Sequence, residues 1–364
     1  MEKMKILQIM PEFGLAGAER MAENLTLSQK KAGHEVKVIS LYDYHSAITD
    51  NLEGEGVEVK YLNKKSGIDL SVIGRLKKEI ESYSPDVIHT HRYILLYTFL
   101  ARALSSVKAP IVHTVHNEAK KELNFAYRKI NNILFLISRC HPVALTSKIK
   151  ETIIDEYFGL KDVPVIMNGV NTDNIRPIKT DYNLSKGSFN ILHIGRFAEA
   201  KNHEMIIDAF AKFRQTYTNS TLTFFGEGVK FEKIKEKVEN DKLADCIIFK
   251  GVDGNVTSHF HEYDVFILPS LFEGMPITIV EAMAAGMPII ASNVGGIPDI
   301  MTNDKNGILI RPEKNELIHA LNKLAGDKEL RERLGKEALS SSSSHTSDHM
   351  AEDYVKYYET LIKN

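Results

Sequence analysis

The chain has 364 residues, 43% of them hydrophobic, which is too long for one ordinary core and about right for two domains of similar size. A formal charge of −2 over 26% charged residues excludes a nucleic-acid binder working through a basic face, which needs a strong positive excess. No apolar run reaches the ~18 residues of a membrane span, and "MEKMKILQIM" enters a strand without a secretory leader, so a soluble cytoplasmic protein is expected. Cys140 and Cys246 lack CxxC spacing and read as reduced core residues.

In chain order, short β-branched runs alternate with helical patterns. "KILQIM", "HEVKVISL", "VEVKYL", "DVIHTH", "PIVHTV" and "PVALTS" occupy the first half; "NILHIG", "LTFFG", "IIFKGV", "DVFILPS" and "PIIASN" occupy the second. Such alternation predicts an α/β protein of parallel sheets covered by helices. The polar, turn-rich "NTDNIRPIKTDYNLSKGS" reads as the linker, giving domains over 1–172 and 188–345. Met350, Tyr354, Tyr357, Tyr358 and Leu361 recur at helical spacing, so 346–364 reads as a docked C-terminal helix. The serine run before it is read as solvated linker. Both halves open with strand, loop and helix start, and in doubly wound sheets ligands bind beyond the strands' carboxyl ends, so one interdomain cleft is expected.

Several loops carry candidate chemistry. "FGLAGAER" places Gly14 and Gly17 between strand and helix, where a backbone can approach a ligand or simply turn. "HTH" and "HTVH" put His89, His91, His113 and His116 at the ends of neighbouring strands. No cysteine or carboxylate stands beside them at ligand spacing, so no metal is expected. His116, last on its strand, is the best placed to bond a ligand, and a structural role fits the other three equally well. "GRFAEAKNHE" offers Arg196 and Lys201 before a helix, a candidate diphosphate clamp or an ordinary charged loop. "FFGEGVK" gives Gly226 and Gly228, with Phe231 where a full GxGxxG has its last glycine; a ligand-free tight turn explains it as well.

"FEGMPITIVEAMAAGMPII" sets Glu273 in a loop and Glu281 in a short helix between Pro276 and Gly286. Eight positions turn roughly 80° beyond whole turns, so both carboxylates can look out near one helix end, or the early glutamate merely complements the helix dipole. No GxxxxGK[ST], GxSxG or Asp-x-Asp occurs, which disfavours a P-loop, an esterase elbow and the simplest carboxylate metal site. Any diphosphate must be neutralised by Arg, Lys and helix dipoles.

Taken together, "GLAGAE", "DVIHTH", "HTVHN", "VIMNGVN", "IGRFAEAKN", "FFGEG" and "FILPSLFEGMPITIVEAMAAGMPIIASNVGGIPDI" resemble the retaining family 4 of the GT-B glycosyltransferases across essentially the whole chain. The resemblance implies two Rossmann-like domains facing a cleft and metal-independent transfer of a hexose or N-acetylhexosamine from a nucleotide-sugar, expected to be UDP-linked. The acceptor implied is a glycan or polyprenyl-linked molecule of cell-surface polysaccharide biosynthesis. By position, Glu281 is expected to hold the ribose and Glu273 the transferred sugar. Arg196 and Lys201 are expected on the diphosphate, with Gly226 and Gly228 nearby and the backbone of Gly274, Met275, Pro276 and Ile277 on sugar or phosphate. Gly17 lets its loop close over the phosphates, and His116 meets a sugar hydroxyl. Asp299 departs from the glutamate usual in "GGIPE". A nucleotide-sugar epimerase shares the fold but lacks these motif spacings, and an inactive partner subunit should have lost some of Arg196, Lys201, Glu273 or Glu281, all present. "AYRKINNILFLISR" mixes Arg128, Lys129 and Arg139 with Phe125, Tyr127, Ile133 and Phe135, and with Lys64 and Lys120 suggests contact with anionic lipid on the inner membrane face, against the alternative of a buried helix.

Overall fold

Twelve short strands carry the architecture in a computed structural model that describes residues 3–137, 140–173, 175 and 189–363. The first six are β1 (Lys5–Met10), β2 (Glu35–Ser40), β3 (Glu58–Tyr61), β4 (Val87–His91), β5 (Ile111–Val115) and β6 (Cys140–Ala144). The second six are β7 (Asn190–Ile194), β8 (Thr221–Phe225), β9 (Ile247–Phe249), β10 (Val265–Leu268), β11 (Ile289–Ser292) and β12 (Ile308–Ile310). The two sheets run β3-β2-β1-β4-β5-β6 and β12-β11-β10-β7-β8-β9, every pairing parallel. Numbered within its own sheet, the second order is the first one reversed on the page, so both are the doubly wound order whose switch point lies between the first and fourth strands. The predicted fold class holds. The strand at Ile308–Ile310 escapes sequence reading because three residues at a sheet edge leave no periodicity to detect.

The chain divides into two units, Met1–Val170 with Thr346–Asn364, and Asn171–His345. The linker expected over 171–188 falls mostly at 174 and 176–188, outside the described residues. In the first unit Met10, Phe13, Ala22, Val38, Ile48, Leu52 and Val57 form one core cluster under the helix Gly17–Lys31. The helix Ser347–Ile362 packs on Gly17–Lys31, burying Met350, Tyr354 and Tyr358, with Ser28 Oγ bonded to Ser347 and Asp348 at 2.9 and 2.7 Å. In the second unit a phenylalanine-rich core of Phe189, Phe197, Phe210, Phe213 and Phe224 spreads from β7 and β8 to the helix Lys314–Gly326. Both cysteines are free and buried.

The serine run is not a linker. The helix Lys328–Ser342 continues into a 3₁₀ turn over Ser343–His345. Ser341, Ser342, Ser343 and Ser344 each return the hydroxyl to a carbonyl three or four residues earlier, at 2.8 to 3.0 Å. Local back-bonding and an established upstream helix outweigh serine's weak propensity.

Candidate active site

In the second unit the chemistry collects at the switch point, where β7 and β10 lie side by side and the loops after them meet. Leu271 N bonds Ala200 O at 2.8 Å, joining the loop that carries Lys201 to the loop that carries Glu273. Lys201 Nζ lies 2.5 Å from Glu273 Oε1, and Ser270 Oγ donates to the same oxygen at 2.6 Å. The lysine and glutamate side chains are 19% and 10% exposed, so the pair reaches the surface with one carboxylate oxygen doubly engaged. Arg196, on the β7 loop, is exposed and its guanidinium has no hydrogen bond or ion pair among the described residues. A cation held in place beside a cation without a partner suits a dianionic ligand.

Pro276 is the N-cap of the helix Ile277–Ala284, one position before the first turn, and Gly286 follows at φ +71, the left-handed stop the sequence predicts. Every residue of that helix is buried except Thr278 and Glu281, which share one face at i, i+3. Glu281 is thus the one accessible carboxylate on an otherwise apolar element, with Gly274 one turn before Thr278; Met275 and Ile277 bury their side chains and leave only backbone at the helix end. Gly335 backs the helix from Lys328–Ser342: a Cβ there would stand 2.3 Å from Gly286 O.

Gly226 and Gly228 have structural work. At φ +137 and +153, their absent Cβ atoms would lie 2.2 Å from Gly195 O and 2.6 Å from Phe197 O. Side chains there would prise apart the loops after β7 and β8, which bond each other through Gly195 N to Phe225 O and Phe197 N to Glu227 O, at 3.0 and 2.9 Å. Sequence reasoning gave no role to Gly295. At φ +57 its absent Cβ would meet Glu273 O at 1.8 Å, so "NVGG" is the template on which the Glu273 loop is laid. Ser270, two residues past β10, was missed as well; a hydroxyl three residues before a loop glutamate is the signal that could have found it. Asp299 sits in the short helix Ile297–Ile300 that follows this turn.

Behind Lys201 lie two buried histidines. The Lys201 stem and His193 Nε2 both approach the face of Gly195, and His193 Nδ1 donates to Ile267 O at 2.9 Å. Burial drives His193 well below the ordinary imidazole value and brings His203 to about 4, so neither competes with Lys201 as a cation near neutrality.

The first unit differs. Gly17 opens the helix Gly17–Lys31, is exposed, and an added Cβ would touch nothing within 4 Å, as is also true of Gly14. The fold itself makes no demand for glycine there. His89, His91 and His113 are buried, and His116, just past β5, is partly exposed. His91 Nδ1 faces His116 Nε2 at 3.0 Å, His89 Nε2 faces Thr114 Oγ1 at 2.7 Å, and His113 Nδ1 faces Thr90 Oγ1 at 2.9 Å. Burial lowers all four, His113 and His116 to about 3, the nearby Arg92 adding to the effect on His116. Three of the four therefore hold the sheet's end together, and only His116 reaches outward. Among the described residues no group of three or more His, Cys, Asp or Glu side chains is arranged to hold a metal ion.

The basic face expected on "AYRKINNILFLISR" is corrected in part. Phe135 is buried against Tyr157, Tyr127 lies against Tyr93, and Arg128 is turned to Glu156 at 2.7 Å. Lys64 is buried, its ammonium donating to Tyr42 and two backbone carbonyls, because a long stem can bury where every proton finds an oxygen. Arg139 lies outside the described residues. Phe125, Lys129 and Ile133 do point outward.

Comparison with known proteins bears on the family and the fold. A family profile described as "Glycosyltransferase Family 4" matches residues 15–174, and one described as "Glycosyl transferases group 1" matches 174–340. An N-acetyl-alpha-D-glucosaminyl L-malate synthase of Bacillus anthracis is 26% identical over 305 residues, 80% of this chain and 78% of that protein. A UDP-Gal:alpha-D-GlcNAc-diphosphoundecaprenol alpha-1,3-galactosyltransferase of Escherichia coli is 29% identical over 286 residues, 72% of each. The Anabaena protein HepE, solved in complex with UDP and glucose, superposes with a TM-score of 0.85 at 17% identity over 98% of this chain and 99% of that one. The chain belongs to family 4 of the GT-B glycosyltransferases and is a nucleotide-sugar-dependent glycosyltransferase.

Proposed function

We propose that the chain transfers a hexose or N-acetylhexosamine from a UDP-linked donor to a glycan or polyprenyl-linked acceptor, with retention of configuration and without a metal. The observation that carries this reading is the Lys201–Glu273–Ser270 cluster with Arg196 on the same β7 loop, its guanidinium without a partner among the described residues, at the end of the helix Ile277–Ala284, whose accessible face is Thr278 and Glu281. Arg196 and Lys201 stabilise the charge that develops on the diphosphate as the glycosidic bond breaks. The backbone of Gly274, Met275, Pro276 and Ile277 adds the positive end of a helix. Glu281 accepts from the ribose hydroxyls, and Glu273, with one oxygen already taken by Lys201 and Ser270, offers the other to the sugar. Gly17 gives backbone access to the phosphates, and His116 bonds a sugar hydroxyl. The departing diphosphate takes the acceptor's proton on the same face.

The names of the similar proteins support a UDP-sugar and a lipid-linked acceptor, since the Escherichia coli relative is named for both. A panel of nucleotide-sugars tests the donor: UDP-sugars should be hydrolysed or should stabilise the protein, and preference for a GDP- or ADP-linked sugar would overturn that part. EDTA should leave transfer intact; loss of activity restored by manganese would sink the metal-free mechanism.

A specific observation also favours a lipid surface as the place of action. Phe125, Ile133 and Leu136 are 65%, 53% and 46% exposed on one helix, and Phe158, at 82%, adjoins them through Gly159, whose neighbour is Leu136. Lys129 stands over the Phe125 ring at 5.3 Å, so a cation rims the apolar patch. No helix among the described residues is long and apolar enough to cross a membrane. Anionic vesicles should carry the protein upward in flotation at low salt, and Phe125→Asp should leave it at the bottom; no binding by the unaltered protein would refute the contact.

A further inference from the structure

His116 is the outermost member of a chain of hydrogen bonds whose proton order can be counted. Gln8, on β1, donates through Nε2 to Gln29 Oε1 at 3.0 Å, which leaves its own Oε1 to accept. The group opposite that oxygen is His91 Nε2, at 3.2 Å. A neutral imidazole has one N–H, so His91 carries its proton on Nε2 and its Nδ1 is a lone pair. His116 Nε2, 3.0 Å from that lone pair, must then carry the second ring's proton, and His116 Nδ1 is bare. Neutrality is secured because burial holds His91 well below the usual imidazole range and His116 at about 3.

The other arm runs in the same sense. Gln29 Nε2 donates to the Tyr358 hydroxyl at 3.4 Å, Tyr358 donates to His89 Nδ1 at 2.6 Å, and His89 Nε2 donates to Thr114 Oγ1 at 2.7 Å. Every side chain in these links except His116 is buried. Among the described residues no group bonds His116 Nδ1.

We propose that Gln8 and His91 are positioning residues that lock His116 in the Nε2–H tautomer, so that it presents a hydrogen-bond acceptor outward and selects a ligand group able to donate, a sugar hydroxyl. A phosphate oxygen, carboxylate or carbonyl has no proton to offer and is refused at this position. The inference rests on the reading of His116 as a ligand-facing residue, and its test separates the two.

The full-length protein, labelled with ¹⁵N-histidine, is studied by long-range imidazole ¹H–¹⁵N correlation without ligand, the His116 signals being those missing in His116→Gln. Nε2 should appear protonated and Nδ1 bare; a His116 Nδ1–H, the result if both amides are turned, overturns the inference whatever the activity. Gln8→Leu, which frees the His91 tautomer, should introduce the Nδ1–H form of His116 and raise the donor KM about tenfold, one hydrogen bond's worth, with little change in kcat. His91→Asn, whose Oδ1 can replace the ring's Nδ1 as acceptor, should keep the Nε2–H form, whereas an unchanged His116 spectrum in Gln8→Leu refutes the lock. Full transfer activity in His116→Ala would instead remove the ligand-facing role while the spectrum still decides the tautomer.

Discussion

The two sheets share one strand order, yet their carboxyl ends are furnished in opposite ways. In the first unit β4 and β5 end in imidazoles and a hydroxyl sealed behind aromatic rings, neutral and mutually bonded. In the second, the loops after β7 and β10 bring charge to the surface, with Lys201 and Glu273 paired and Arg196 open. The contrast follows from desolvation. Neutral hydrogen-bonding groups can be buried at little net cost when each has a partner, whereas charges kept for a phosphate must stay within reach of water until the ligand replaces it. One topology therefore supports a rigid, proton-ordered wall in one unit and an electrostatic clamp in the other.

Acid should break the comparison most strongly. His89, His91, His113 and His116 all have folded values below the unfolded 6.5, so the unfolded state binds more protons as pH falls from 6.5 towards 3 and stability is lost over that window. Each contributes up to about 1.4 kcal/mol per pH unit. Glu122 works the other way: raised by burial from 4.5 to about 7, it favours the folded state on the acid side and costs stability as pH rises through that range. One carboxyl cannot offset four imidazoles, and the second unit has only His193 and His203 lowered in the same manner among its described residues. Hydrogen exchange read peptide by peptide, corrected for the intrinsic pH effect, should find the first unit opening before the second between pH 6.5 and 4.5. Tryptophan fluorescence is no alternative, since the chain has none.

Next in size is Glu273→Ala, expected to lower kcat by roughly 10²–10³-fold, as when one transition-state contact is removed. Because Glu273 also occupies Lys201, its loss releases a cation, and calorimetry should find nucleoside diphosphate affinity unchanged or improved. Glu281→Ala should instead weaken nucleotide and donor alike by about 1.5–3 kcal/mol. Equal loss of nucleotide affinity in both variants would erase the division of labour. The smallest effect belongs to Tyr358→Phe. It strands Gln29 Nε2 and His89 Nδ1 in a buried site, and urea unfolding should find the protein about 1–2 kcal/mol less stable with its nucleotide affinity intact.

Much of this was legible in the residues because it is written in local pattern. Eleven strands announce themselves as apolar runs, and Pro276 and Gly286 bracket a helix by their own backbone preferences. The Lys201–Glu273 pair was not legible: 72 positions separate its members, and only the parallel pairing of β7 with β10 brings them together. Gly295 was hidden for the same reason, since what forbids a side chain there is the Glu273 carbonyl and not anything in "NVGG" itself. Lys64 misled because a lysine in a polar stretch normally lies in water; its burial depends on Tyr42 and on the carbonyls of Lys65 and Gly67. The serine run misled because propensity was weighed without the helix already propagating into it.

The seal on the first unit has a consequence for how the protein is made. His89 and Tyr358 are 269 positions apart, and Thr114 and Tyr354 are 240 apart. On a ribosome, β1 to β6 emerge long before the helix that supplies those two phenols, and the entire second unit is synthesised in the interval. Closing so long a loop costs little more entropy than closing a shorter one, but it delays the event until synthesis is nearly over. During that wait the helix Gly17–Lys31 lacks its partner, and the strand-end histidines lack their phenolic cover. A nascent chain halted before residue 347 should therefore be held by chaperones through its first half, while the second unit, which is one continuous stretch of chain, completes its fold first.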